Sequence, residues 1–324
     1  MKVLYIGIRE ILHLWYQPVL DACAGRFDIH LYDPERPIEE QLEGVEVLIE
    51  QGGAIGRRHI IDEAKAAGVK LWQVLGTGLD HVDVDYILSK GLPLANTPGQ
   101  FSAVALAEHA MYQMLHFAKQ HDLMLETLRQ GKYSEPMNEE LETKTLCMVG
   151  FGASARELAR RAWAFGMRML ALDQIDVPEG TVEEYHLEFC GKPADLERLA
   201  SEADYLSLHV PLTSKTRHMI NRQVLAKMKP TAVLVNVARG ELVDEDALLE
   251  TLKAGQIRGA ALDVFTSEPI DPKHPLVQLD SVLATPHTAG VTNGTARRRA
   301  EAAIENLARV AAGQSPLYQV TSSE

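Results

Sequence analysis

Apolar positions along this chain fall into short β-rich runs separated by stretches of helical period. In the first hundred residues KVLYIGI (from Lys2), DIHLYD (from Asp28), VEVLIEQ (from Val45), KLWQVLG (from Lys70) and LPLANT (from Leu92) predict strands. RHIIDEAKAAG and VDYILSKG predict intervening helices, each ending in a glycine suited to a left-handed C-cap. A stretch free of Gly and Pro, from Ser102 to Arg129, predicts one long helix. After a polar break at Gly131 to Asn138 the alternation restarts with KTLCMVGFG, followed by MRMLALD, DYLSLHV, TAVLVNVA, IRGAALDV and SVLATPH. A last helix is predicted from Thr292 to Ala312, stopping at Gly313. Alternation of this kind predicts parallel sheets flanked by helices. There are two such α/β blocks and no short tandem repeat, and the pattern alone leaves open which block the last helix joins.

Composition narrows the function. With 46% hydrophobic and 24% charged residues, the 324-residue chain is an ordinary globular protein. Its formal charge of −13 repels phosphate backbones, so no nucleic-acid partner is expected. Cys23, Cys147 and Cys190 are scattered and form no CxxC pair, which argues for a reducing compartment and against thiolate metal sites. The apolar run at the start is cut by Arg9 and Glu10, too early for a signal segment. No stretch reaches the ~18 apolar residues of a membrane span, so a cytoplasmic protein is expected. His109, His116 and His121 do not have HExxH spacing, and no metal is expected. Arg297, Arg298 and Arg299 read as a solvated helix face. The segment AVALAEHAMYQMLHFA is apolar all round and predicts a helix buried at a domain or dimer interface, with Met111, Met114 and Met124 as packing residues.

The strongest local signal is Gly150-Phe151-Gly152-Ala153-Ser154-Ala155, a GxGxxA turn between the strand KTLCMVG and the helical segment ARELARRAWAFG. Gly150 permits the tight turn, Gly152 admits a pyrophosphate to the backbone, and small Ala155 permits close helix–strand packing. The phosphates would sit on the helix N-terminus. Asp173 ends the next strand, 21 residues beyond Gly152, where a carboxylate binds ribose hydroxyls. Gln174 follows it, with no Arg or Lys nearby to hold a 2′-phosphate, so NAD is favoured over NADP.

Three later strands each run into a residue able to do chemistry: Arg239 after TAVLVNVA, Glu268 shortly after GAALDVF, and His287 after SVLATP. In open α/β sheets ligands bind beyond the carboxyl ends of the strands. Arginine offers a planar fork to a carboxylate, and histidine moves a proton near neutral pH while a carboxylate fixes its tautomer. Singly, Arg239 suits a surface ion pair, Glu268 an N-cap or loop carboxylate and His287 a satisfied turn histidine. Together, behind a dinucleotide loop, they are the parts needed to reduce a 2-oxo acid.

From about Leu75 to Gly313 the chain resembles the D-isomer-specific 2-hydroxyacid dehydrogenases. The residues that carry the likeness are GTGLDHVD (Gly76 to Asp83), NTPG, AEHA, VGFGASARELARR, LHVPLT, VNVARGELVDEDALLETLKAG, ALDVFTSEP and ATPHTAG. The resemblance implies an α/β fold of two Rossmann-like or flavodoxin-like domains with parallel sheets and a substrate cleft between them. Its implied boundaries are residues 1–98, completed by 290–324, for a substrate-binding domain, and 99–289 for an NAD-binding domain. It implies that His287 protonates the carbonyl oxygen, Glu268 pairs with His287, and Arg239 holds and polarises the substrate. It also implies a substrate-carboxylate loop at Gly76, Thr77 and Gly78. The implied NAD contacts are Gly150, Gly152, Ala153, Ser154, Ala155, Asp173, His209, Val237, Ala238, Arg239, Asp263, His287 and Gly290. Ser154 stands where the family usually has a branched apolar residue. Pro98 to Glu108 runs one residue longer than in relatives. The implied protein is a homodimeric NAD-dependent enzyme acting on a small 2-oxo or D-2-hydroxy acid. The same trio also occurs in NAD-sensing co-repressor-like proteins of this fold, which stay as the alternative. A formate-type dehydrogenase is disfavoured because that branch resembles a glutamine where Glu268 stands.

Overall fold

The computed structural model describes residues 1–52 and 58–322. Two compact units emerge, Met1–Phe101 with Thr292–Glu324, and Ser102–Val291.

In the first unit five parallel strands, β1 (Lys2–Ile6), β2 (Asp28–Leu31), β3 (Val45–Glu50), β4 (Leu71–Val74) and β5 (Leu94–Ala95), lie in the order β2-β1-β3-β4-β5. This is the doubly wound order of flavodoxin-like sheets. Alternate residues feed opposite faces. Leu4 and Ile6 pack with Leu48, Trp72 and Val74 on one face, and Val3 and Tyr5 pack with Val47, Ile49 and Leu71 on the other. The second face is closed by Val19 of helix Leu12–Cys23 and by Ala300, Ala303, Ile304 and Leu307 of helix Asn293–Ala311. That i, i+3, i+4, i+7 stripe is why the last helix sits on this sheet. Its start is capped by Thr292, whose hydroxyl accepts the Thr295 N–H at 3.1 Å, and Gly313 follows it at φ +71°.

In the second unit seven parallel strands follow: β6 (Thr145–Val149), β7 (Arg168–Leu172), β8 (Phe189–Gly191), β9 (Tyr205–Leu208), β10 (Val233–Asn236), β11 (Gly259–Leu262) and β12 (Val282–Ala284). Their order is β12-β11-β10-β9-β6-β7-β8. Six of them reproduce the 3-2-1-4-5-6 arrangement of dinucleotide-binding sheets, and the order reverses beside β6. Both faces are covered: Cys147 and Val149 of β6 join one core, and Leu146 and Met148 the other. That double burial explains why these strands read as continuous apolar runs.

Every strand expected from the sequence is present. Strand β8 was not expected, because its three residues carry no apolar run and only pairing with β7 defines it.

The expected helix from Ser102 to Arg129 is a correction. The chain forms helix Ala103–Ala118, breaks at Gln120 (φ +47°), and resumes as helix His121–Arg129. The cause is tertiary. Arg258 donates to the Phe117 carbonyl at 2.8 Å, and the Glu139 N–H donates to the Ala118 carbonyl at 2.9 Å. Lys119 and Gln120 send their side chains to the carbonyls of Glu139 and Met137, each at 2.7 Å. Carbonyls captured from outside no longer need the next helical turn.

Candidate active site

At the carboxyl end of β6 the glycine loop takes the form its spacing requires. Gly150 has φ +90°, and a Cβ there would lie 2.7 Å from Val210 Cγ1 and 2.8 Å from the His209 carbonyl oxygen. Only glycine fits. A Cβ on Gly152 would meet nothing within 4 Å, so its outer face is open. Gly152 is the N-cap of helix Ala153–Ala164 and offers no side-chain cap, which leaves first-turn N–H groups for an anion. Ala155 is fully buried in the core beneath. An open glycine, uncapped N–H donors and a packed small residue fit a pyrophosphate.

Asp173 ends β7. Its carboxylate accepts the Phe151 N–H at 2.7 Å and the Ile175 N–H at 3.1 Å, which fixes it against the glycine loop. The expectation that no Arg or Lys lies near Gln174, the next residue, needs correction in space. Lys192, just past β8, brings Nζ to 3.4 Å from the Gln174 carbonyl and 2.6 Å from Asp176. Sequence separation concealed it.

His209 follows β9. One ring nitrogen lies 2.9 Å from Ser207 Oγ and the other 3.0 Å from Ser154 Oγ. Burial pushes its pKa down to about 4, so the ring is neutral and bridges two hydroxyls. The hydroxyl of Ser154 thus has a partner.

At the end of β10, buried Asn236 shapes the turn that carries Val237, Ala238 and Arg239. Its amide donates to the Arg239 carbonyl at 2.8 Å and accepts the Ala238 N–H at 3.1 Å. The guanidinium of Arg239 donates to the Ala238 carbonyl at 2.9 Å. Gly240 comes next, and any Cβ there would collide with the Phe265 carbonyl group and the Thr266 nitrogen. The absence of a side chain lets this turn press against the segment that leads to Glu268.

Glu268 is held as a fork. One oxygen accepts the Phe265 N–H at 2.9 Å and the other lies 2.6 Å from His287 Nδ1. Burial by itself would raise the Glu268 pKa. The His287 hydrogen bond and charge, the Phe265 N–H and the charge of Arg239 outweigh it and hold the carboxyl below its ordinary value. An ionised carboxylate only accepts, so Nδ1 of His287 carries a hydrogen and Nε2 is the atom left to exchange a proton. The His287 backbone is left-handed, with φ +54°. Its neighbours are tied to Asp263, which is fully buried and accepts the Thr288 and Ala289 N–H groups at 2.8 Å each. Gly290 lies beside this turn, where a Cβ would stand 3.6 Å from Leu106. The second unit therefore gathers Arg239, Glu268 and His287 at the ends of neighbouring strands.

The first unit holds the other predicted loop. Gly76, Thr77 and Gly78 follow β4, and the loop is braced from the segment after β5. The Thr97 N–H donates to the Gly76 carbonyl at 3.1 Å, and Asn96 donates to the Thr77 carbonyl at 2.9 Å. Arg299 Nη2 lies 3.3 Å from Thr77 Oγ1, and its guanidinium lies 5.3 Å above the Trp15 ring. The reading of the three arginines as a solvated face thus holds only for Arg297, which pairs with Glu301. Arg298 donates to the Phe101 carbonyl at 2.9 Å.

Asn236, Ser207 and Thr285 support the site and were not singled out in the sequence. Their signal is weak, since each is an ordinary polar residue within or just after an apolar strand. Among the described residues no group of three or more His, Cys, Asp or Glu side chains is arranged to hold a metal. No described helix is long and apolar enough to cross a membrane.

Comparison with known proteins agrees with this architecture. The profile of the D-isomer specific 2-hydroxyacid dehydrogenase NAD binding domain matches residues 111–289. The chain is 39% identical to a glyoxylate reductase from Korarchaeum cryptofilum, over 92% of this chain and 90% of that protein. It is 37% identical to a D-3-phosphoglycerate dehydrogenase from Methanocaldococcus jannaschii over 85% of this chain, and spans about half (51%) of that protein's length. A D-lactate dehydrogenase from Aquifex aeolicus, solved with NAD and lactic acid, superposes with a TM-score of 0.79 at 26% identity, covering 97% of this chain and 96% of that one. The chain belongs to the D-isomer-specific 2-hydroxyacid dehydrogenase family and is an NAD-dependent dehydrogenase of that lineage.

Proposed function

We propose that this protein interconverts a small 2-oxo acid and its D-2-hydroxy acid, with NAD(H) as the redox partner. One observation carries the reading: a Glu268–His287 pair at 2.6 Å, with the carboxylate forked between His287 and the Phe265 N–H and Arg239 close enough to lower its pKa. Bound on the glycine loop, the nicotinamide cofactor supplies or accepts the hydride. The chain's own residues do the rest. Arg239 grips and polarises the oxo acid, and its charge offsets the oxygen that becomes anionic as the carbonyl is reduced. His287 gives that oxygen a proton from Nε2 in reduction and takes it back in oxidation, while Glu268 steadies the ring and the charge it carries. The backbone N–H groups of Gly76, Thr77 and Gly78 are the proposed seat for the substrate carboxylate. Relatives named glyoxylate reductase and D-3-phosphoglycerate dehydrogenase support a short 2-oxo acid. A cytoplasmic homodimer is part of the same reading, as is preference for NADH through Asp173.

The test is oxidation of NADH, and separately NADPH, against glyoxylate, hydroxypyruvate, pyruvate, phenylpyruvate and phosphohydroxypyruvate. Saturable turnover with one of them, lost by at least ~100-fold in kcat in His287→Ala while NADH affinity holds, is the expected result. Near-normal turnover in that variant would sink the assignment. Tight NADH binding with no turnover would favour the NAD-sensing alternative.

A further inference from the structure

His109 lies in the AEHA segment of helix Ala103–Ala118. Its Nε2 lies 3.0 Å from Thr285 Oγ1, and the same hydroxyl lies 2.6 Å from Asp263 Oδ1. Asp263 already accepts two backbone N–H groups through its two oxygens, so the single Thr285 hydroxyl hydrogen points to it. The Thr285 oxygen must then accept from His109, which fixes the His109 tautomer with hydrogen on Nε2. Burial lowers the His109 pKa against the opposing pull of Asp263, in keeping with a neutral donor.

The chain of bonds ends on the catalytic turn. The Asp263 carbonyl accepts the His287 N–H at 2.8 Å, and its carboxylate accepts the next two N–H groups. His287 needs this restraint. A non-glycine residue at φ +54° sits in a sparsely populated conformation that persists only where its surroundings over-determine it. Leu106, one turn before His109, faces the same turn beside Gly290.

We propose that His109 is a positioning residue that acts through Thr285 and Asp263 to hold the His287 turn in its working conformation. The proposal rests on the reading of His287 as the acid/base group. Four single variants test it: His109→Phe and Thr285→Val break the relay, whereas His109→Gln and Thr285→Ser keep a donor and a hydroxyl. Each is assayed for kcat, for KM toward the oxo acid and NADH, and for amide hydrogen exchange over 285–291 in the protein alone. The expected result is a loss of about tenfold in kcat for His109→Phe and Thr285→Val, with KM for NADH within about twofold. Exchange of the Thr288 and Ala289 amides should quicken, His109→Gln and Thr285→Ser should restore most of both signals, and the two damaging changes should not add. If His109→Phe fails to fold, the Thr285 pair decides alone. Wild-type kcat and exchange in His109→Phe, or His109→Gln as impaired as His109→Phe, overturns the proposal. Absence of turnover in the unmodified protein would instead overturn the functional reading, and the exchange data would still judge the relay.

Discussion

At the scale of single residues the site depends on small backbone demands as much as on its charged groups. Gly240 is the clearest case, since any side chain meets the Phe265 carbonyl group. Gly240→Ala is expected to cost about 1–3 kcal/mol of stability through overpacking. It should also lower kcat by pushing Arg239 away from Glu268; denaturant titration and steady-state kinetics on one preparation check both. His209 makes a pH prediction. Its folded pKa of about 4 lies below the ordinary 6.5, so the unfolded chain binds the extra proton between those values. Its contribution is fully present above pH 6.5 and is lost as pH falls toward 4, by roughly 3 kcal/mol at most. Replacing it by Asn should flatten the acid side of the stability–pH curve; an unchanged slope would mean the ring is not held neutral. Among the site candidates, Gly150, Asp173, Arg239, Glu268 and His287 were legible in the sequence because each stands at or shortly after a strand end. Asn236, Thr285 and Lys192 were not, since their roles arise from partners distant in the chain or from a strand without a pattern.

At the scale of elements, helix Ala103–Ala118 carries an unusual burden. Gln113 is fully buried, and neither atom of its amide has a hydrogen-bond partner among the described residues. An unsatisfied buried amide costs about 1–3 kcal/mol. Gln113→Met, which keeps the volume and removes the polar atoms, is therefore expected to raise the thermal midpoint by several degrees. A lowered midpoint would reveal a bonded amide. Helix Asn293–Ala311 makes the opposite prediction. Leu307 is fully buried against the first sheet, and its truncation to Ala should cost about 2–5 kcal/mol, read by denaturant unfolding. The sequence pattern announced both helices. It did not announce the break at Gln120, because no Gly or Pro marks it; the carbonyls there are claimed by Arg258 and Glu139.

At the scale of the whole molecule, the proposed preference for NADH brings together segments far apart in the chain. On that proposal Asp173 would repel a 2′-phosphate, while Lys192, which follows β8, would attract one if Asp176 and the Gln174 carbonyl released it. Asp173→Ser is thus expected to shift kcat/KM toward NADPH by at least about tenfold, and adding Lys192→Glu should cancel the shift. Comparison of the two cofactors in both variants checks this. No shift in the single variant would show that Lys192 is too firmly paired to take part.

Local sequence alone determined the two α/β blocks, the parallel strands, the glycine loop and the strand-end trio. Each of these depends on near neighbours in the chain: burial on both faces makes a strand uniformly apolar, and a tight turn over an anion site demands glycine. Tertiary structure decided where the last helix packs, where the long helix breaks, that Phe189–Gly191 pairs as a strand, and which polar residues brace His287. Those outcomes depend on bonds between residues distant in sequence, such as His109 with Thr285 or Arg258 with Phe117, and no local pattern encodes such a pairing.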